Sequence, residues 1–220
     1  MKSFQDHLVS TKTLNPELVL KNNINRSSAI FPFIINKSLD VKILFLSYWL
    51  LKRKIADIVC KITIRNLSGK LIFQEKCEIN YVKSFIFSLK QIIKKNELNL
   101  NSGSIEVEFF SETNLVFPYP AVIVNYESNN SSSLVHTCGR TFNNEHDFKR
   151  NTKFLVPESG FDILPNSKLK PFFSFVNGNK KLINQKLELI ILNQNDEKIK
   201  KTIKIKKVDP YETKFFFFLS

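Results

Sequence analysis

The clearest signal along the chain is a two-residue alternation of apolar and polar positions. Ile58, Cys60, Ile62 and Ile64 alternate with polar or small partners, and Leu71, Phe73, Glu75, Cys77 and Ile79 keep the same rhythm. A period of two places alternate side chains on one face of a strand. Between the runs, Asn66-Leu67-Ser68-Gly69 has turn chemistry, with Gly69 free to take a positive φ. The pattern predicts a hairpin in which Ile64 faces Leu71, Ile62 faces Phe73 and Ile58 faces Cys77.

Further along, Val82, Phe85, Ile86, Leu89, Ile92 and Ile93 fit a helical stripe. We expect a strand through Phe85 to Leu89 followed by a short helix from Gln91 to about Asn96. Strands are expected again over 104–111 and 121–127. Phe117-Pro118-Tyr119-Pro120 lies between them as a rigid extended or edge segment, because proline cannot donate to a ladder.

The alternation also repeats. Shifted by 127 positions, Phe45-Leu46-Ser47-Tyr48-Trp49 falls on Phe172-Phe173-Ser174-Phe175-Val176, and Arg53-Lys54 falls on Lys180-Lys181. Ile62, Ile64 and Asn66 fall on Leu189, Ile191 and Asn193 at the same shift. Phe73, Cys77 and Ile79 match Ile199, Ile203 and Ile205 at 126, and Phe85, Phe87 and Leu89 match Phe215, Phe217 and Leu219 at 130. Small length changes confined to turns are what tandem copies accumulate. Strands of this spacing predict a mostly all-β chain built as two tandem immunoglobulin-like β-sandwich units, with at most short helices.

The expected layout is an N-terminal arm over 1–30, a first β-sandwich unit over 31–141, a linker over 142–155 and a second, incomplete unit over 156–220. The second copy has no counterpart of 104–111 or 121–127. We therefore expect its sheet to be completed by early residues, by more chain or by another molecule, including homo-oligomer formation through that incomplete sheet. An unpaired strand near Phe215 to Leu219 would be adhesive.

Composition changes this picture modestly. The 220 residues carry 33 Lys+Arg against 20 Asp+Glu, a net charge of +13, with five Gly and three Cys. Few glycines argue against Gly-rich phosphate loops, and an odd number of cysteines is no framework for a secreted disulfide fold. The apolar run Ile43–Leu51 is far short of the roughly 20 residues a membrane helix needs. No signal-peptide pattern opens the chain, so a cytoplasmic protein is expected. Asn, Lys, Ile and Phe have AT-rich codons, so codon bias is a rival explanation of the positive charge to an anionic partner.

Chemistry-bearing residues are densest over 134–151. His136, Cys138 and Arg140 would share one face of a strand at i, i+2 and i+4. His and Cys are sound zinc ligands, and His146 or Glu145 could complete three; the same residues could serve as a thiolate with an imidazole base. His-x-Cys is not a zinc signature, and neither CxxC nor HExxH accompanies it. A ligand-binding reading uses Arg140 for a carboxylate or phosphate, with Tyr119, Asn143 and His146 around it. Cys60 and Cys77 align with Leu187 and Ile203 in the second copy, which marks them as core positions.

Lys198, Lys200, Lys204 and Lys206 alternate with isoleucines and form one cationic face, a candidate for polyanions. That face has lysines without the aromatics or arginines of nucleic-acid binders, which argues against nucleic acid. The first expectation is therefore a non-catalytic binding protein with a protein or carbohydrate ligand and no cofactor. The alternative is a hydrolase or transferase, metal-dependent or not, using His136, Cys138 and His146.

Overall fold

A computed structural model describes residues 25–111, 122–136, 140–142, 172–192, 195 and 197–217. The fold is all-β and sandwich-like. The first half contains strands β1 (Asn25–Ile34), β2 (Leu39–Leu46), β3 (Ile58–Asn66), β4 (Leu71–Glu78), β5 (Ser84–Ser88), β6 (Ser102–Ser111), β7 (Val122–Ser128), β8 (Ser132–His136) and β9 (Arg140–Phe142). Two short helices interrupt them, α1 (Tyr48–Arg53) and α2 (Leu89–Lys95). The second half contributes β10 (Phe172–Val176), β11 (Leu182–Leu192), β12 (Lys198–Val208) and β13 (Thr213–Phe217).

One sheet has the order β4-β3-β6-β1-β9 and the other β5-β2-β7-β8. Every pairing in them is antiparallel. The strand period sets the core directly. Phe31, Phe33, Ile62, Ile64, Ile105, Val107 and Phe109 point inward from the first sheet, and Val41, Ile43, Phe45, Val122 and Val124 from the second; all are buried. The Phe45 ring meets Phe109 edge-on at 5.0 Å between centroids, and Trp49 of α1 packs on the same ring at 4.7 Å. Tyr126 adds a polar tie between the sheets, its hydroxyl donating to the Pro32 carbonyl at 2.9 Å.

The stretch over 84–96 divides close to the expected place. Ser88 caps α2, its Oγ accepting from the Gln91 N–H at 3.2 Å and donating to Asp40 Oδ2 at 2.8 Å. Lys94 and Lys95 sit in the last turn, where they favour the helix dipole. Helix α1 falls inside the apolar run that strand periodicity alone could not divide; Lys54 ends it in the left-handed region at φ 57°. Strand β1 begins at Asn25, within the stretch expected to be an arm.

The hairpin β3–β4 forms as expected but in a different register. Ile64 is level with Phe73 and Cys60 with Cys77, and Ile62 lies opposite Glu75. The turn closes with Gly69 N–H on the Asn66 carbonyl at 3.0 Å and Asn66 N–H on the Lys70 carbonyl at 3.0 Å. That makes a three-residue loop with Gly69 at φ +82°, and a bulge between Ile64 and Arg65 moves the ladder on. Alternation shows which residues share a face, but a bulge is invisible to it.

The second half pairs in the same order as the first. Strand β10 pairs with β13 and β11 with β12, just as β2 pairs with β5 and β3 with β4. The correspondence of β11–β12 to β3–β4 holds pair by pair. Cys60↔Cys77 becomes Leu187↔Ile203, Ile62↔Glu75 becomes Leu189↔Lys201, and Ile64↔Phe73 becomes Ile191↔Ile199. The outer strands have slipped: Phe45 lies opposite Phe85, whereas Phe172 lies opposite Phe217 instead of Phe215. Phe215, Phe216 and Phe217, expected to need a partner, find it in Ser174, Phe173 and Phe172 respectively.

The two halves touch at the β3–β4 turn. Thr213 N–H donates to the Leu67 carbonyl at 2.9 Å, and the Tyr211 ring lies 4.1 Å from the Arg65 guanidinium. A Cβ on Gly69 would stand 2.3 Å from the Pro210 carbonyl oxygen, so glycine answers both the positive φ and the close approach.

Candidate functional site

The residues expected to form an interdomain site divide as follows. His136 is the last residue of β8, level with Ile123, and it is exposed. Arg140 opens β9, level with Ser28 of β1. These strands belong to different sheets, so no single strand runs from 136 to 140 with His136 and Arg140 on one face. The chain crosses from one sheet to the other there. Tyr119, Cys138, Asn143, Glu145 and His146 lie outside the described residues. Among the described residues no three His, Cys, Asp or Glu side chains gather as a metal-sized group.

The two described cysteines lie level with each other on β3 and β4, and only Cys60 is in the core. Cys60 is fully buried, and burial pushes its thiol far above the ordinary range. Cys77 is half-buried and its thiol is also pushed up by burial.

A charge cluster that alternation alone did not reveal covers the outer face of the five-stranded sheet. Glu106 and Glu108 project outward between the core residues Ile105, Val107 and Phe109, yet each is only 3% exposed. Arg26 bridges them, donating from Nε to Glu108 at 2.6 Å and from Nη2 to Glu106 at 3.0 Å. Arg65 meets the other Glu106 oxygen at 2.7 Å, and Lys61 meets Glu108 at 2.6 Å. Ser28 Oγ donates to Glu106 at 2.8 Å, and Tyr211 covers Arg65. Two carboxylates facing three cations leave no strong acid or base free, so the cluster reads as a structural lock on the central strands. The Glu-x-Glu spacing in an apolar strand was the signal for it, but its three cations come from strands distant in sequence.

The lysine face is where the alternation put it. Lys198, Lys200, Lys204 and Lys206 stand exposed on one side of β12, joined by Lys186 across from Lys204. The other side carries Leu187, Leu189, Ile203 and Ile205, all half-buried. Glu188, at 2.9 Å from Lys200, tempers the charge on the lysine side.

The two strands of this hairpin differ sharply. Six of the eleven residues of β12 are lysines, whereas β11 has Lys186 and Glu188 among eleven and ends Leu187-Glu188-Leu189-Ile190-Ile191-Leu192. Charged side chains, lysine above all, guard a sheet edge against pairing; β12 is guarded and β11 is not. Its counterpart β3 is flanked by β4 on one side and β6 on the other. Among the described residues β11 has β12 alone.

An open groove of about 380 Å³ lies elsewhere, lined by Cys77, Glu78, Tyr81, Lys83 and Phe85–Phe87. It is shallow and gathers no convergent polar groups of the sort that fix a small ligand. No helix among the described residues is long and apolar enough to cross a membrane. The chain matches no protein-family model, no curated protein and no solved structure.

Proposed function

We propose that this is a non-catalytic binding protein whose ligand is another protein, engaged by the second copy of the repeat, β10–β13. The observation that carries the reading is the pair-by-pair correspondence of β11–β12 to β3–β4 without a strand in the place of β6 among the described residues. A hairpin that retains an apolar face but leaves it half-buried has surface to offer. Sheet edges and apolar strand faces recognise extended polypeptide more readily than sugars, which need convergent polar groups around a concave site.

The immunoglobulin-like type of the sandwich, the tandem division near 142–155 and residence in the cytoplasm belong to the same proposal. The first draws support from β1-β6 at the centre of one sheet facing β2-β7 at the centre of the other. The last draws support from free cysteines and the odd cysteine count.

The test is a paired screen of the full chain against a peptide array and an oligosaccharide array, with Leu187→Lys as comparison. Peptide binding that the substitution abolishes, with no saturable sugar binding, is the expected result. Saturable binding to a sugar alone, or turnover of any substrate that depends on Cys138, would overturn it.

A further inference from the structure

We propose that the lysine face of the β11–β12 hairpin is a docking surface for a lipid bilayer rich in acidic headgroups. It is a second site, on the opposite side of the hairpin from the apolar face offered to protein.

The ladder assembles the face. Lys204 stands level with Lys186, Lys200 with Ile190, and Thr202 with Glu188. The period of two adds Lys198 and Lys206 to the same side. All five lysines are exposed, and so is Ile190, at 55%. At about 3.4 Å per residue the lysines of β12 span roughly 27 Å, and Lys186 widens the array across the ladder.

Such an array opposes folding. Like charges directly opposite are destabilising, and Lys186 faces Lys204. In the first copy the fold neutralises cations on this side, since Lys61 and Arg65 each bond a buried glutamate of β6. In the second copy Glu188 is the only acidic residue of either strand, and it holds Lys200 at 2.9 Å. Asp196 and Glu197 precede Lys198 in the chain, so the excess is greatest toward Lys186, Lys204 and Lys206.

Two simpler explanations fall short. Codon bias acts on the whole chain, yet β4, the counterpart of β12, has one lysine and two glutamates. Resistance to edge pairing needs a charge or two on the edge strand. It leaves unexplained why Ile190 stands exposed in the middle of the lysines.

Two features select lipid from among the polyanions. Ammonium groups are compact point charges that suit diffuse attraction to many headgroups, whereas phosphodiester recognition favours arginine forks and stacking aromatics. Strands β11 and β12 contain neither arginine nor an aromatic residue. Ile190 gains by entering the boundary between headgroups and acyl chains, and gains nothing from a phosphate backbone or a sulfated sugar. The methylene stems of the lysines can lie along the same apolar layer while their ammonium groups stay among the headgroups.

The test is sedimentation of the full chain with vesicles of phosphatidylcholine alone, and of phosphatidylcholine with about 30 mol% phosphatidylserine. Saturable binding to the acidic vesicles only is expected, weakening as salt rises. Each lysine near an acidic surface is worth roughly fivefold, so Lys204→Gln with Lys206→Gln should weaken binding about 30-fold. Lys201 and Lys207 are level with Leu189 and Ile183 on the other face. Replacing both by Gln removes the same charge and should weaken binding by no more than about threefold. Ile190→Ser should weaken it about fivefold and leave the salt dependence unchanged. On the vesicle-bound parent, an amine-acylating reagent should modify Lys204 and Lys206 less than Lys201, which reads the face without any variant.

Equal losses in the two double variants would assign binding to overall charge and overturn the inference. So would binding to neutral vesicles as strong as to acidic ones, or binding to neither. Capture of an oligonucleotide through Lys204 and Lys206, with acidic vesicles left unbound, would hand the face to nucleic acid. The peptide screen with Leu187→Lys reads the opposite face, so the protein-binding reading and this one stand or fall separately.

Discussion

The hairpins β3–β4 and β11–β12 share one register and live in opposite surroundings. Ile62 is 1% exposed, between Glu75 on one side and Val107 on the other. Leu189, its equivalent, is half-buried and has Lys201 on one side alone among the described residues. The backbone pairing is therefore a property of the hairpin itself: alternation, turn and ladder suffice for it. What the surroundings change is burial, and with it the energetic weight of each side chain. The same pattern of residues can anchor a core in one place and present a surface in another.

The comparison is broken most directly by truncating equivalent side chains. Ile62→Ala should cost about 2–5 kcal/mol, because it opens a cavity in a close-packed layer. Leu189→Ala should cost less than about 1 kcal/mol in the free protein, since its site is already partly in water. Urea midpoints for the two variants measure both; equal losses would show that the second hairpin is as deeply packed as the first.

Charge gives the next contrast. Glu106→Ala takes the carboxylate from Arg65 and leaves Arg26 to Glu108, and should cost about 3 kcal/mol. Glu188→Ala removes one exposed partner of Lys200 and should change stability by no more than about 1 kcal/mol. Thermal unfolding at low and high salt checks the pair, and only the second variant should converge on the parent as salt rises.

Two glycines sharpen the comparison at the seam. Gly69→Ala meets the Pro210 carbonyl and a positive φ, so a loss above about 1 kcal/mol is expected. Gly178 has nothing within 4 Å of where a Cβ would go, and Gly178→Ala should fall within about 0.5 kcal/mol of the parent.

The last effect is absent at neutral pH and grows only in alkali. Burial raises the Cys60 thiol, so the folded state holds its proton more tightly than the unfolded chain does. Stability from this source is complete below the ordinary thiol pKa of about 8.5 and declines as pH rises beyond it. Tyr126, pushed up to about 12 by burial, adds a further decline above about pH 10. Denaturant midpoints from about pH 7 to about 10.5 should fall in the parent and fall less steeply in Cys60→Val. Parallel slopes would remove Cys60 from the account.

The matching order of pairing in the two halves was readable because apolar positions recur at a nearly constant shift, with length changes confined to turns. Strands β3, β4, β11 and β12 followed from a period of two, whereas the helix expected from Gln91 begins two residues earlier, at Leu89 behind its Ser88 cap. Helix α1 was hidden because Tyr48, Trp49, Leu50 and Leu51 continue an apolar run that fits either period. The register of β3–β4 escaped because the bulge at Ile64 and Arg65 depends on how the turn closes, not on which residues are apolar. The Glu106–Arg26–Glu108 cluster needed a strand order that brings β1, β3 and β6 side by side. For the site, the lysine face of β12 was legible from four residues, whereas the unguarded edge of β11 became visible only beside β3. His136 and Arg140 look adjacent in sequence, but the crossing between sheets separates them.

The turn at Asn66–Gly69 has one more consequence, for what the chain can tolerate. Tips of hairpins ordinarily accept inserted residues with little harm. Here the tip is walled in by Pro210 and Tyr211 and bonded through Leu67 to Thr213. A single added residue would push the second copy away from the first, so this loop should be among the least permissive of insertion in the molecule.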